Sequence, residues 1–295
     1  MFGQYFGHYL VEKNKISQSQ LEIVLEQQKS SRAKLGLIAV AEKLLTTKQA
    51  DDVNELQKQM DRRFGDIAIE KGYLLTEEVN YLLNLQGNPY LKFIQVLSDK
   101  NLMTMDEIEE SLESYKKDKD LSDSDLDALK SGDIDRIIPV FVNAEEPLVS
   151  ECISLAIRNI IRFINNDIML MKAYKTSEYS FSNLAYQNMV GDHMIFVGFA
   201  CKDKELLTLA NPFAKEEFTQ LDEDAFDSVC EFINCTNGLF ASKLSLENVH
   251  IDMTPPLFYS DKVLASTGDI YVVPVVIDGK QSDLLVAFNN KVEIN

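Results

Sequence analysis

Glu231 and Asn234 stand three residues apart, the spacing that places two side chains on one face of a helix. A carboxylate offered there can grip a basic group on a partner. The amide beside it can aim a water molecule. Asp227 lies four residues before Glu231, and Gly238 lies four after Asn234, where a missing side chain lets another surface approach the helix. Pro256 follows downstream, after a short stretch of strand character. In isolation, Glu-x2-Asn is also common on plain solvated helix faces. Here the apolar residues Phe226, Val229, Cys230, Ile233 and Leu239 predict a buried stripe that turns Glu231 and Asn234 outward.

The elements that must position this pair can be read around it. Residues 222–244 form the long helix that carries the motif. Residues 147–164 are a second amphipathic helix, with Pro147 at its start. Residues 204–214 are a candidate helix between them. Strands are expected at 168–174, 193–201, 249–253, 270–277 and 282–288, with Asp278-Gly279 as the hairpin turn between the last two. This order predicts a sheet packed against long helices on one face.

The first part of the chain repeats itself. Gly7, Gly36, Gly65 and Ile94 are spaced 29 residues apart, and apolar positions recur at fixed offsets after each. Seven residues after each anchor come Asn14, Lys43, Gly72 and Asn101, a slot suited to a left-handed helix end; Lys43 fits it least well. Ser17-x-x-Gln20, Thr46-x-x-Gln49 and Thr104-x-x-Glu107 are capping boxes, and the third unit shifts its cap to Thr76. Each unit reads as a short helix, a tight turn and a longer helix. The chain is therefore α+β. Residues 1–115 form an all-α array of four helical hairpins, 116–136 an acidic linker with one short helix, and 137–295 an α/β domain.

Composition narrows the function. The 295 residues carry a formal net charge of −18, so no bulk basic field attracts nucleic acid or an anionic membrane. Cys152, Cys201, Cys230 and Cys235 form no Cys-x2-Cys pair, and His8, His193 and His250 are scattered, so no metal centre is expected. The first residues lack a basic and then apolar leader pattern. A cytoplasmic protein with buried free thiols is the expectation.

The full pattern, Asp227-x3-Glu231-x2-Asn234-x21-Pro256, resembles the signature of the CheC/CheX/FliY phosphatases of bacterial chemotaxis. The resemblance covers about residues 140–290. It implies a CheX-like fold and, as substrate, the aspartyl phosphate of a phosphorylated CheY-like response regulator. Asn234 would orient the attacking water, Glu231 would contact the regulator's active-site lysine, Gly238 and Pro256 would belong to the partner contact, and Asp227 would support either the helix or that contact. No cofactor is implied on this chain; Mg2+ is expected on the regulator. Some members carry two such helices, but the helix over 147–166 contains Glu151 and Asn159 without a Glu-x2-Asn. A single-site member resembles CheX, whose relatives pair through their sheets, so a homodimer is implied. A non-catalytic adaptor that binds a regulator through the same helix is the alternative.

The hairpin array resembles the N-terminal domain of type II secretion and pilus assembly ATPases of the GspE/MshE type. In one branch of that family, tandem units bind cyclic di-GMP through an Arg and neighbouring groups. The corresponding slots here hold Lys34 with Gly36 and Arg63 with Gly65. Lys is a poorer diphosphate ligand than a planar guanidinium, and a structural or protein-docking array is the competing expectation.

Overall fold

The computed structural model describes residues 1–60 and 62–295. The chain divides into two compact units, Met1–Asp133 and Ile134–Asn295.

The first unit is helical. Four pairs follow one another: α1 (Phe2–Glu12) with α2 (Gln18–Ser30), α3 (Leu35–Ala41) with α4 (Thr47–Met60), α5 (Phe64–Glu70) with α6 (Thr76–Asn84), and α7 (Pro89–Asp99) with α8 (Met105–Asp118). The first helix of each pair ends in the left-handed region, at Asn14 (φ 56°), Lys43 (φ 58°), Gly72 (φ 69°) and Asn101 (φ 53°). Lys43 thus takes the same backbone form as the Asn and Gly residues of that slot, at a cost set by its Cβ.

The second helices are capped as the sequence suggests, with one exception. Ser17 and Gln20 satisfy each other's backbone amides, as do Thr46 and Gln49. Thr104 and Glu107 do the same at 2.8 and 3.3 Å. In the third pair, however, Leu75 and not Thr76 holds the cap position. Glu78 accepts from the Leu75 amide at 2.7 Å, so half of a capping box survives without a hydroxyl.

Thr104→Ala is expected to lower stability by about 1 kcal/mol, read as a shift of the urea midpoint. Hydrogen bonds from the Thr104 amide and hydroxyl hold the Glu107 carboxyl below its usual range. A carboxyl depressed on folding stabilises above its unfolded pKa. The Glu107 contribution is therefore complete at neutral pH and disappears as pH falls through the depressed value.

An aromatic cluster joins the first and last pairs. Phe6 of α1 lies 6.3 Å from Phe93 of α7 and 5.7 Å from Tyr115 of α8, ring centre to ring centre. Residues 116–136, expected as a linker, are mostly helical. After α8 ends at Asp118, Ser122 caps α9 (Asp123–Ser131), which buries Leu126, Ala128 and Leu129. The Asn88 side-chain amide donates to the Lys130 carbonyl, so α9 is tied to α7. The acidic residues are the solvated face of a packed helix, and the division between units falls at Asp133 and Ile134.

The second unit holds α10 (Ile134–Phe141), α11 (Pro147–Phe163), β1 (Ile168–Leu170), β2 (Tyr174–Gly191), β3 (Ile195–Cys201), α12 (Leu207–Ala214), α13 (Glu223–Leu246), β4 (Ile251–Met253), β5 (Leu257–Ile277), β6 (Lys280–Phe288) and β7 (Val292–Ile294). The strands run β1-β5-β6-β3-β2-β4, every pairing antiparallel, with β7 beside β5. The long β5 also pairs with β2, so the path β5-β6-β3-β2 closes on itself. Leu184 of β2 stands opposite Ala200 of β3 and Tyr259 of β5.

Closure encloses a core containing Tyr179, Phe181, Leu184, Leu264, Ile270, Val272 and Leu285. Tyr179 and Asp283 hydrogen-bond within the buried part of the unit, which satisfies two polar groups that would otherwise be orphaned. The hairpin turn falls at Asp278 (φ 50°) and Gly279 (φ 75°), two successive left-handed residues that match the twist of the flanking strands.

Candidate functional site

Helix α13 is fixed at its start, its end and along one side. Asp222 caps it, accepting from the Ala225 amide at 3.0 Å, and Glu223 and Asp224 lie in its positive first turn. Phe226 stacks on Phe258 of β5 at 4.5 Å, and Phe232 sits between Phe199 (5.8 Å) and Phe213 (5.5 Å). The buried stripe includes Val229, Cys230, Ile233, Phe240 and Leu244. Leu239, expected in that stripe, is 47% exposed. It lies one turn beyond exposed Cys235, at the margin of the solvent face, and Phe240 takes the inward position instead.

The opposite stripe carries Asp227, Glu231, Asn234 and Gly238, which recur at helical spacing along one side of α13. Asp227 and Glu231 are exposed and Asn234 is half-buried. The Asn234 amide nitrogen lies 3.4 Å from a Glu231 carboxylate oxygen. The other oxygen of Glu231 accepts a weak bond from the Cys235 thiol at 3.5 Å. A Cβ on Gly238 would meet nothing closer than the Met253 methyl at 3.7 Å, so the fold itself does not demand glycine there. The bare helix surface instead leaves room for an approaching group. Pro256 is half-buried, two residues beyond Thr254 on the segment leading from β4 to β5.

One residue of the site escaped the sequence reading. Gln187 of β2 is 1% exposed, and its side-chain nitrogen donates to Asn234 Oδ1 at 2.8 Å and to the Thr254 carbonyl at 2.8 Å. Its Oε1 accepts from Asn237 Nδ2 at 2.9 Å. The readable signal was local: on its own strand face, Gln187 is flanked by the buried apolar residues Ala185 and Met189. A polar side chain in such company must find partners, and here it finds three.

Residues 184–282 match the model of the chemotaxis phosphatase CheX family. The C-terminal unit carries a CheX domain. The matched span contains Gln187, Asp227, Glu231, Asn234, Gly238, Thr254 and Pro256. Similar solved structures include a CheC-like superfamily protein from Shewanella sp. PV-4, at 18% identity and a TM-score of 0.43, covering 50% of this chain and 99% of that one. The chemotaxis protein CheX from Vibrio vulnificus is 17% identical with a TM-score of 0.42, covering 48% and 99%. A CheX–CheY–BeF3–Mg2+ complex from Borrelia burgdorferi gives 17% identity and a TM-score of 0.39, covering 48% and 97%. No curated protein matches the chain.

The other long helix of the C-terminal unit, α11, is built differently from α13. Asn159 of α11 is buried and donates to the Thr236 hydroxyl at 3.1 Å, while Glu151 pairs with Lys243 at 2.7 Å. Glu151 and Asn159 therefore both tie α11 to α13.

The thiols divide in a way the sequence reading did not anticipate. Cys152, Cys201 and Cys230 are buried, and burial pushes the Cys152 thiol up to about 12 and the other two to about 11. Cys235 is exposed instead, one turn from Glu231. Among the described residues, no three His, Cys, Asp or Glu side chains converge to hold a metal ion, and no helix is long and apolar enough to cross a membrane.

In the N-terminal unit, Lys34 Nζ pairs with Asp99 at 2.7 Å. The hollow beside it is lined by Lys34, Asp51 and Asp99 as its charged groups, a balance that disfavours an anion. Arg63 is exposed and does not line that hollow. Gly36 and Gly65 have packing reasons to be glycine: a Cβ would come within 3.0 Å of the Phe64 ring and 2.7 Å of Val79 Cγ1, respectively.

Proposed function

We propose that the CheX domain hydrolyses the aspartyl phosphate of a phosphorylated, CheY-like response regulator. The observation that carries this reading is the outward pair on α13. A carboxylate and an amide stand 3.4 Å apart on a well-anchored helix, inside the span that matches the chemotaxis phosphatase family.

The chemistry asks little of this chain. Water attacks phosphorus, the bond from phosphorus to the aspartate oxygen breaks, and the carboxylate leaves with the bonding electrons. The proton of the water passes to the phosphate product or to solvent. Such a transfer depends on alignment and charge neutralisation more than on a new nucleophile. The regulator's own Mg2+ and lysine supply the positive charge. Asn234 enters beside the acyl phosphate and holds the water in line. Glu231 meets the regulator's lysine and sets the depth and direction of entry. The exposed Asp227 and the open surface at Gly238 border the same contact.

The test is a titration of the protein into a phosphorylated regulator while phosphate loss is followed. Wild type should accelerate the loss, and Glu231→Ala should raise the half-saturating concentration roughly 10-fold or more, the value of about 1.5 kcal/mol or more for a hydrogen bond between charged groups. Its maximal rate should fall less. Unchanged spontaneous decay with wild type would remove the enzyme reading. Binding without acceleration would identify an adaptor.

A further inference from the structure

We infer that Gln187 is a positioning residue that locks the Asn234 amide in one of its two flip states, with the NH2 group turned outward; the inference rests on the phosphatase reading for its catalytic consequence, but not for the lock itself. The Thr254 carbonyl can only accept a hydrogen bond, so the Gln187 atom 2.8 Å from it must be the nitrogen. That same nitrogen lies 2.8 Å from Asn234, so the Asn234 atom facing it must be the oxygen. The nitrogen has two hydrogens, and these two acceptors use both. The remaining Gln187 oxygen accepts from the Asn237 amide at 2.9 Å, while the Thr254 carbonyl is the contact that keeps Gln187 from turning over.

Burial makes the arrangement stiff. Gln187 is 1% exposed and Asn237 is 0% exposed, so neither can exchange its partner for bulk water. Flipping Asn234 would set its NH2 against the Gln187 NH2, two donors face to face with no acceptor between them. The outward group of Asn234 is therefore a hydrogen-bond donor, 3.4 Å from the Glu231 carboxylate. A donor in that place binds the oxygen of a water or of a phosphoryl group. Three elements contribute to the lock: β2 through Gln187, α13 through Asn237, and the segment after β4 through Thr254. Its function is to present a prealigned amide, which lowers the entropy lost on reaching the reactive geometry.

The test uses the full chain with Gln187→Met, which fills similar volume without donating. Two readouts are taken: the side-chain 15N order parameter of Asn234, and the saturation curve for regulator dephosphorylation. In wild type the Asn234 order parameter should approach the ~0.85 of rigid backbone, and in the variant it should fall below ~0.6. The maximal rate should drop roughly 10- to 100-fold, with half-saturation held within twofold. An Asn234 side chain that stays equally rigid, or a maximal rate that stays at the wild-type level, would overturn the inference. So would a change confined to half-saturation. If wild type accelerates nothing, the phosphatase reading falls, and the order parameters alone decide the lock. Should Gln187→Met melt, Gln187→Leu is measured and judged by the same criteria.

Discussion

Asn234→Ala should reduce the acceleration of regulator dephosphorylation on the order of 100-fold, while leaving affinity for the regulator within twofold. The size follows from what the amide supplies, which is alignment of a water molecule rather than binding; misplacing a reacting group by about 1 Å costs that much. An interaction made only in the transition state lowers the maximal rate and the specificity constant together and leaves ground-state binding unchanged. Glu231 remains in place in this variant, so the docking contact survives. The fold should survive too. Asn234 is half-buried, and its loss removes one of three hydrogen bonds made by Gln187. The Gln187 N–H that faced Asn234 is left buried without that acceptor, so stability should fall by about 1–3 kcal/mol. Stopped-flow phosphate release, together with a melting curve, checks both halves of this expectation.

Phe232→Ala should do the reverse. Phe232 is two residues before Asn234 but is fully buried, packed between Phe199 and Phe213. Removing the ring forfeits its transfer energy and leaves a cavity that neighbouring aromatic rings cannot fill, a loss of about 3–5 kcal/mol. For a unit of this size each kcal/mol moves the melting temperature by about 2–4 °C, so a drop of roughly 6–20 °C is expected by calorimetry. The variant still presents Glu231 and Asn234. Below its lowered melting temperature it should retain dephosphorylation within a fewfold of wild type. The two substitutions thus separate the faces of one helix, one carrying reaction rate and the other stability.

What was legible in the sequence was mostly what local geometry decides. The spacing of Asp227, Glu231, Asn234 and Gly238 places them on one stripe of any helix that forms there, and the Phe226–Phe240 apolar residues say that one does. The turn residues Asp278 and Gly279 are determined by their own backbone preferences. The 29-residue period located four left-handed positions, including Lys43, whose side chain alone would not suggest one.

Non-local pairing was harder to read. β2 runs 18 residues from Tyr174 to Gly191, yet its first part, with Lys175, Ser177 and Glu178 exposed, resembles a surface loop. It is a strand because β5 comes back beside it, from Tyr174 opposite Val272 to Tyr186 opposite Leu257. The first half of β5 was missed for the same reason: Leu257 to Lys262 are exposed and gain their backbone partners from β2. Gln187 was hidden within that missed strand. Its meaning depends on Asn234, 47 residues away, and on Thr254, 67 away. Leu239 and Thr76 were misplaced by a single position, an error that a stripe or a cap tolerates in the sequence but not in space. The acidic stretch of 116–136 concealed Leu126 and Leu129, enough to seat a short helix on its neighbours.

The central claim is that this chain brings a water molecule to the phosphorus of an acyl phosphate. It is tested most directly by running the reaction in 18O-enriched water with a phosphorylated regulator and stoichiometric protein, following both the rate and the position of the label. The account predicts phosphate released faster than by spontaneous decay, with 18O in the inorganic phosphate. It further predicts that Asn234→Ala returns the rate close to the spontaneous value. Phosphate lost no faster than in the regulator alone, or label recovered in the regulator's aspartate, would contradict it.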